Sequence, residues 1–300
     1  VTQPLVVCKF RPQPEDAFRP VAESFRVHVV DGPVRPWVLA GGDPDAIWSV
    51  GEVIDRELLD AAPRLRVVVN HGVGYDTIDA EELERRGIAL VRPLGANAGS
   101  VADHAFALLL AVRHRLVEAD RAARDGRYAE YHWELPLGED LEGTTLGIVG
   151  MGAIGRAMAR RAEGFGMRVL VHSRREGVSL DDLLRQSDAI SLHCPLTEAT
   201  RGMIGRRELA LMRPTAVLIN TARGAICDED ALVEALADGT ILGAGLDVLA
   251  DEPHVPQGLI DHPRVVLSPH VADGTVQTQA AMSVACAEGL LSEWSLRAAR

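Results

Sequence analysis

Short runs of β-branched and aliphatic residues alternate with helical stretches along most of this 300-residue chain, and that alternation leaves few folds open. A parallel neighbour strand needs a crossover, which a helix supplies, so repeated strand and helix predict parallel sheets wound on both faces. LVVCKF (5–10), FRVHVV (25–30), AIWSV (46–50), LRVVVN (65–70) and IALVRP (88–93) read as a first series of strands. DRELLDAA (55–62) and DAEELERRG (79–87) lie between the later ones, each with an acidic start suited to a helix N-terminus, the second with a glycine stop. The segment 100–126 has apolar residues three and four apart after Ser100, which predicts one long, largely buried helix with a serine cap, linking two domains. An irregular stretch with Tyr128, Tyr131 and Trp133 follows. A second series then begins: TLGIVG (145–150), MRVLVHS (167–173), AISLHC (189–194), AVLINTA (216–222), ILGAGLDV (241–248) and RVVLSPH (264–270). Six strands with helices between them fit a Rossmann fold. Helical periodicity returns at 275–294, where a last helix could return to the first domain. The fold class is therefore α/β, with two doubly wound parallel-sheet domains.

Composition removes several classes of function. With 43 acidic against 31 basic residues and a net charge of −12, the chain lacks the clustered basic face that nucleic acid requires. No apolar stretch is long enough to span a membrane, and the opening VTQPLVVCKFRP lacks the basic and apolar regions of a leader, so the expectation is a cytoplasmic protein. Cys8, Cys194, Cys227 and Cys286 are scattered without metal-ligand spacing, so neither a disulfide framework nor a metal site is expected. Lys9 is the only lysine, which disfavours mechanisms built on a lysine Schiff base or a Walker lysine.

Gly150, Met151, Gly152, Ala153, Ile154 and Gly155 form a GxGxxG turn between a strand and a helix, where pyrophosphate can sit on exposed N–H groups at a positive helix end. The setting predicts a dinucleotide. An Asp or Glu closing the second strand would bind both ribose hydroxyls of NAD. Here that strand ends His172-Ser173-Arg174-Arg175, and a hydroxyl with two guanidiniums suits a 2′-phosphate. The expectation is NADP(H) in preference, with NAD(H) possible; the plainer alternative leaves both arginines as solvated loop charges.

Taken together, Asn70-His-Gly-Val-Gly-Tyr-Asp-Thr-Ile-Asp79, SVADHAFALLL (100–110), GIVGMGAIG (147–155), SLHCPLTEATRGMIG (191–205), LINTARG (218–224), GAGLDVLADEP (243–253) and SPH (268–270) resemble the D-isomer-specific 2-hydroxyacid dehydrogenase family, of the glyoxylate/hydroxypyruvate reductase kind, along nearly the full length. The resemblance implies a flavodoxin-like substrate domain from residues 1–98 and 272–300, a Rossmann cofactor domain of residues 99–271 inserted in it, and an active cleft at the hinge. It implies reduction of a 2-keto acid to a D-2-hydroxy acid, with Arg223 binding substrate, Glu252 orienting the catalytic histidine and His270 as acid/base. It also places Val73 and Gly74 in a loop that presents N–H groups to the substrate carboxylate, and Asp247 near the nicotinamide carboxamide. Val101, Cys194, Pro195, Thr200 and Thr221 match cofactor-lining positions, with core packing the alternative for Val101. A homodimer through the helix at 100–120 and the arm after it is implied as well.

Chemistry supports these roles. Carbonyl reduction needs a carboxylate anchor, a hydride donor and a proton source. Arg223, just beyond the fourth strand of the second series, has a fork that suits a carboxylate, and His270 ends the sixth at the same sheet edge. His71 departs from the pattern beside the carboxylate loop, where it could meet a second anionic group or be a partly exposed loop histidine. Asn70 and Asp76 read as stabilising their loop, and the remaining histidines, His104 and His193 among them, as structural. Glyoxylate, hydroxypyruvate, a larger keto acid or one carrying a second anion remain open, Arg92 favouring the last. A dinucleotide-sensing corepressor-like scaffold and a formate- or phosphite-type dehydrogenase are the competing readings.

Overall fold

The computed structural model describes residues 3–10, 14–134 and 137–298. In chain order the first elements are β1 (Leu5–Cys8), α1 (Glu15–Ser24), β2 (Arg26–Val29), α2 (Val34–Leu39), β3 (Ala46–Ser49), α3 (Arg56–Ala61), β4 (Val67–Asn70), α4 (Ala80–Arg86) and β5 (Ala89–Val91). Next come α5 (Ala98–Arg113), α6 (Leu116–Arg124), α7 (Tyr128–Glu134), β6 (Thr145–Val149), α8 (Ala153–Gly164), β7 (Arg168–His172), α9 (Leu180–Gln186), β8 (Ala189–Leu192) and α10 (Arg206–Leu211). The chain closes with β9 (Val217–Asn220), α11 (Glu229–Ala237), β10 (Gly243–Leu246), α12 (Gln257–Ile260), β11 (Val265–Leu267) and α13 (Val276–Ala298). It divides into two compact units, Val1–Asn97 with Gly274–Arg300, and Ala98–Asp273.

In the first unit five parallel strands run in the order β2-β1-β3-β4-β5, the flavodoxin-like order. β3 and β4 are buried along their whole length, as strands covered by helices on both faces must be. Asp55 and Asp79 start α3 and α4 by accepting the Leu58 and Glu82 N–H groups. The last helix, α13, returns to this unit and lays Cys286, Ala287 and Leu290 on β4 and β5.

The second unit has six parallel strands in the order β11-β10-β9-β8-β6-β7. The usual dinucleotide fold, numbered within itself, runs 3-2-1-4-5-6, with a strand outside the second. No such strand flanks β7 among the described residues. The chain instead turns back at once: Ser173 N–H donates to the Glu176 carbonyl at 3.0 Å, Val178 N–H to the Val171 carbonyl at 2.8 Å, and Gly177 bridges His172 antiparallel. The turn leads straight into α9, capped by Ser179.

The single long helix expected over 100–126 is two, broken where Arg115 takes a left-handed conformation with φ 55°. α5 starts before Ser100, whose hydroxyl donates to the Ala272 carbonyl rather than capping the helix. Its apolar stripe lies on β9 and β10, burying Phe106, Leu108, Leu109 and Val112. The returning chain ends it, for Glu139 N–H takes the Arg113 carbonyl at 3.1 Å. Four such side chains are worth about 1.5–3 kcal/mol each, against about 1–3 kcal/mol for one strained backbone residue, so the helix follows the sheet and breaks. Beyond the break α6 buries only Ala122. The stretch expected to be irregular contains the short helix α7; the side chain of Trp133 lies outside the described residues.

Candidate active site

Parallel strands put all their C-terminal ends on one edge. In the second unit that edge carries, in turn, the glycine loop after β6, Ser173 after β7, His193 and Cys194 after β8, Thr221 to Arg223 after β9, Asp247 and Glu252 after β10, and Ser268 to His270 after β11. β6 pairs with both β7 and β8, so the topological switch point, where doubly wound sheets take ligands, falls at the glycine loop.

A Cβ on Gly155 would stand 2.1 Å from the Gly150 carbonyl oxygen, so only glycine lets α8 approach the turn. At Gly152 a Cβ would meet nothing within 4 Å, which leaves open space over the first N–H groups of α8. Two buried polar atoms close by have no partner among the described residues: Nδ1 of His193 and Oγ1 of Thr221. The His193 ring is bonded at Nε2 to the Ser191 hydroxyl at 2.8 Å, and burial pushes its pKa down to about 3, which keeps it neutral. A nucleotide laid over the strand ends fits this surface.

The Ser173 hydroxyl is engaged within its turn, accepting the Glu176 N–H at 3.1 Å. Arg174 and Arg175 are exposed and make no ion pair among the described residues. Thr200 closes its loop onto the Pro195 carbonyl at 2.7 Å, and Val101 is buried in α5. Burial pushes the Cys194 thiol up to about 11, so it is not a nucleophile at neutral pH.

His270 and Glu252 are brought together: Nδ1 lies 2.9 Å from Oε2. The other carboxylate oxygen accepts Leu249 N–H at 3.1 Å, which fixes the glutamate. A carboxylate can only accept, so Nδ1 carries a proton and Nε2 is the working nitrogen. Asn220 shapes the neighbouring turn, donating to the Arg223 carbonyl at 2.9 Å and accepting Ala222 N–H at 3.0 Å. A Cβ on Gly224 would lie 1.9 Å from the Leu249 carbonyl carbon, so this glycine lets the Arg223 loop press against the loop that carries Glu252.

The Asp247 carboxylate is buried and accepts the Ser268 hydroxyl at 2.6 Å, Val271 N–H at 2.9 Å and Ala272 N–H at 3.0 Å, all within the protein.

In the first unit Asn70 braces the loop after β4, donating to the Gly72 and Gly74 carbonyls at 2.9 and 2.6 Å. Arg92 donates to the Val73 carbonyl at 2.8 Å and lies 4.2 Å over the Tyr75 ring. With these carbonyls tied back, the N–H groups of Val73 and Gly74 carry no hydrogen bond among the described residues, as a carboxylate-binding loop requires. His71 is buried rather than partly exposed: Nδ1 accepts the Trp48 indole N–H at 3.3 Å, and Nε2 faces the Gln279 amide oxygen at 3.3 Å. Sequence reasoning passed over His104 and Ser268, which stand 2.7 Å apart. Nothing in the spacing of residues so distant in sequence could have paired them.

A glycine turn at a switch point and a carboxylate-oriented histidine on the same edge define a nucleotide-dependent oxidoreductase. The sequence model of the D-isomer specific 2-hydroxyacid dehydrogenase NAD binding domain matches residues 106–272. The glyoxylate reductase of Thermococcus litoralis is 45% identical over 81% of this chain and 78% of its own. The crystal structure of a glyoxylate reductase from Paecilomyes thermophila superposes with a TM-score of 0.89 at 34% identity, over 97% of this chain and 95% of that one. That of the NADPH-dependent glyoxylate/hydroxypyruvate reductase of Sinorhizobium meliloti, in complex with NADP and malonate, gives 0.85 at 34% identity, over 98% and 94%. The chain belongs to the D-isomer-specific 2-hydroxyacid dehydrogenase family. It is an oxidoreductase that binds a nicotinamide dinucleotide and acts on the CH–OH group of 2-hydroxy acids, or on the keto group in reverse. No helix among the described residues is long and apolar enough to cross a membrane.

Proposed function

We propose that this enzyme reduces a small 2-keto acid of the glyoxylate or hydroxypyruvate type, with NADPH preferred over NADH and His270 as the acid/base. The observation that carries the reading is the His270–Glu252 pair, 2.9 Å apart on the sheet edge that also bears the glycine loop. The Ala98–Asp273 unit holds the nucleotide. The pyrophosphate rests on the N–H groups at the start of α8, and Arg174 and Arg175 take the 2′-phosphate. Arg223 holds the substrate carboxylate and polarises the carbonyl.

The reduced nicotinamide supplies a hydride to the keto carbon. His270 delivers the balancing proton from Nε2 to the carbonyl oxygen, and the C=O bond becomes CH–OH. Glu252 holds the ring at Nδ1 and stabilises its charged form before the proton leaves. In the reverse direction Nε2 takes the proton back. The enzyme in this reading is a cytoplasmic homodimer, for which the exposed Leu116, Tyr128 and Leu137 supply apolar surface.

The test is a panel of glyoxylate, hydroxypyruvate and larger 2-keto acids assayed against both reduced cofactors, with wild type and His270→Asn in parallel. The expected result is turnover with NADPH and a loss of kcat on the order of 10²–10⁴-fold in the variant. No turnover of any keto acid with either cofactor would overturn the reading. Unchanged kcat in His270→Asn would remove the histidine from the acid/base role.

A further inference from the structure

His270 stands in a conformation that its own side chain disfavours. Its φ is 54°, in the left-handed region where a non-glycine residue needs external support. The support comes from one buried carboxylate. Asp247 accepts the N–H of Val271 at 2.9 Å and of Ala272 at 3.0 Å on one side of His270, and the Ser268 hydroxyl at 2.6 Å on the other. The His270 N–H donates to the Asp247 carbonyl at 2.8 Å, so the residue that holds both flanks also holds the centre.

The carboxylate is itself reached from α5. Ser268 spends its only hydroxyl proton on Asp247, so its oxygen can only accept from His104, whose Nε2 lies 2.7 Å away. That assigns the His104 proton to Nε2 and orients the chain: His104 Nε2–H to Ser268 Oγ, Ser268 O–H to Asp247 Oδ1. His104 Nε2 also stands 3.3 Å from the same Asp247 oxygen. Asp247 Oδ1 thus gathers Ser268, Val271 and His104, while Oδ2 accepts Ala272.

We propose that His104, Ser268 and Asp247 are positioning residues for this reaction, a hydrogen-bonded brace that holds His270 left-handed so that its ring meets Glu252 on one side and the keto oxygen on the other. The inference rests on the acid/base role given to His270 above. Removing the hydroxyl leaves the Asp247 carboxylate in place but unlinks it from the Ser268 side of the His270 turn, and His104 keeps only its direct 3.3 Å approach to the carboxylate. The imidazole then samples orientations from which it cannot deliver its proton. The loss falls on kcat, while binding of NADPH and of the keto acid, made elsewhere, stays close to normal.

The experiment compares Ser268→Ala, Ser268→Thr and His104→Phe with wild type in full-length protein. It measures kcat and KM for glyoxylate and NADPH, the primary isotope effect with 4-deuterated NADPH, and Tm. The expected result is a ten- to hundredfold lower kcat for Ser268→Ala with KM values within threefold. A larger isotope effect, as chemistry becomes limiting, and recovery in Ser268→Thr, which restores an oxygen at the same atom, are expected with it. His104→Phe should lose three- to tenfold in kcat in the same way. The proposal is overturned if kcat of Ser268→Ala stays within threefold of wild type, or if Ser268→Thr fails to recover although its Tm and NADPH binding match wild type. His270→Asn separates the two readings: inactive His270→Asn beside active Ser268→Ala sinks the brace alone, and active His270→Asn sinks the role it serves.

Discussion

Arg174 and Arg175 face solvent without an acidic partner among the described residues, and an arginine left unpaired just past a nucleotide-binding strand is poised for a phosphate. Hydrogen bonds to charged groups contribute about 1.5–3 kcal/mol each. Replacing both with alanine should therefore lower kcat/KM for NADPH by on the order of ten- to a hundredfold while NADH changes little, which steady-state kinetics with the two cofactors would read. Equal loss with both would assign the arginines no part in discrimination. Gly155 and Asn70 were legible from local chain context, whereas Glu252 was set beside His270, 18 positions away, only by the family resemblance. His71 was not legible, because Trp48 and Gln279, which claim its two nitrogens, arrive from another strand and from the last helix. The brace behind His270 was illegible for the same reason, since His104 and Ser268 are 164 positions apart.

Among the elements, α4 shows how charge order along a helix becomes stability. Acidic Glu81 and Glu82 sit in its first turn and Arg85 and Arg86 in its last, the order the helix dipole favours. Hydrogen bonds from Arg85 and then Arg86 hold the Glu82 carboxyl down at about 2, below its ordinary value of 4.5. A depressed carboxylate pKa makes a contribution that is complete above the unfolded value and is lost as pH falls through the folded one. Glu82→Gln should consequently lower Tm near neutral pH and flatten the fall of Tm between about pH 4.5 and pH 2; thermal melts across that range would show parallel curves if the pair contributes nothing. The strands were legible from their β-branched runs. The break at Arg115 was not, because continuous helical periodicity says nothing of the Glu139 N–H that takes the end of α5.

For the molecule as a whole, the alternation of strand and helix disclosed two wound sheets but not the order in which strands lie, since order depends on where each crossover lands. The first unit has the flavodoxin-like order, and in the second no strand lies outside β7 among the described residues. A sheet that ends early leaves a row of unpaired backbone groups, which is a template for another chain. The six residues from Ser173 to Val178 serve as a hem on that border, and Gly177 is the stitch: its φ is +104°, and a Cβ there would sit 1.9 Å from the Val171 carbonyl oxygen. Gly177→Ala should unpick the border. The variant is expected to scatter light progressively on standing at concentrations where wild type stays clear, and to bind NADPH more weakly because Arg174 and Arg175 ride on the same turn. Solution longevity and coenzyme affinity would then be coupled through one glycine of that turn.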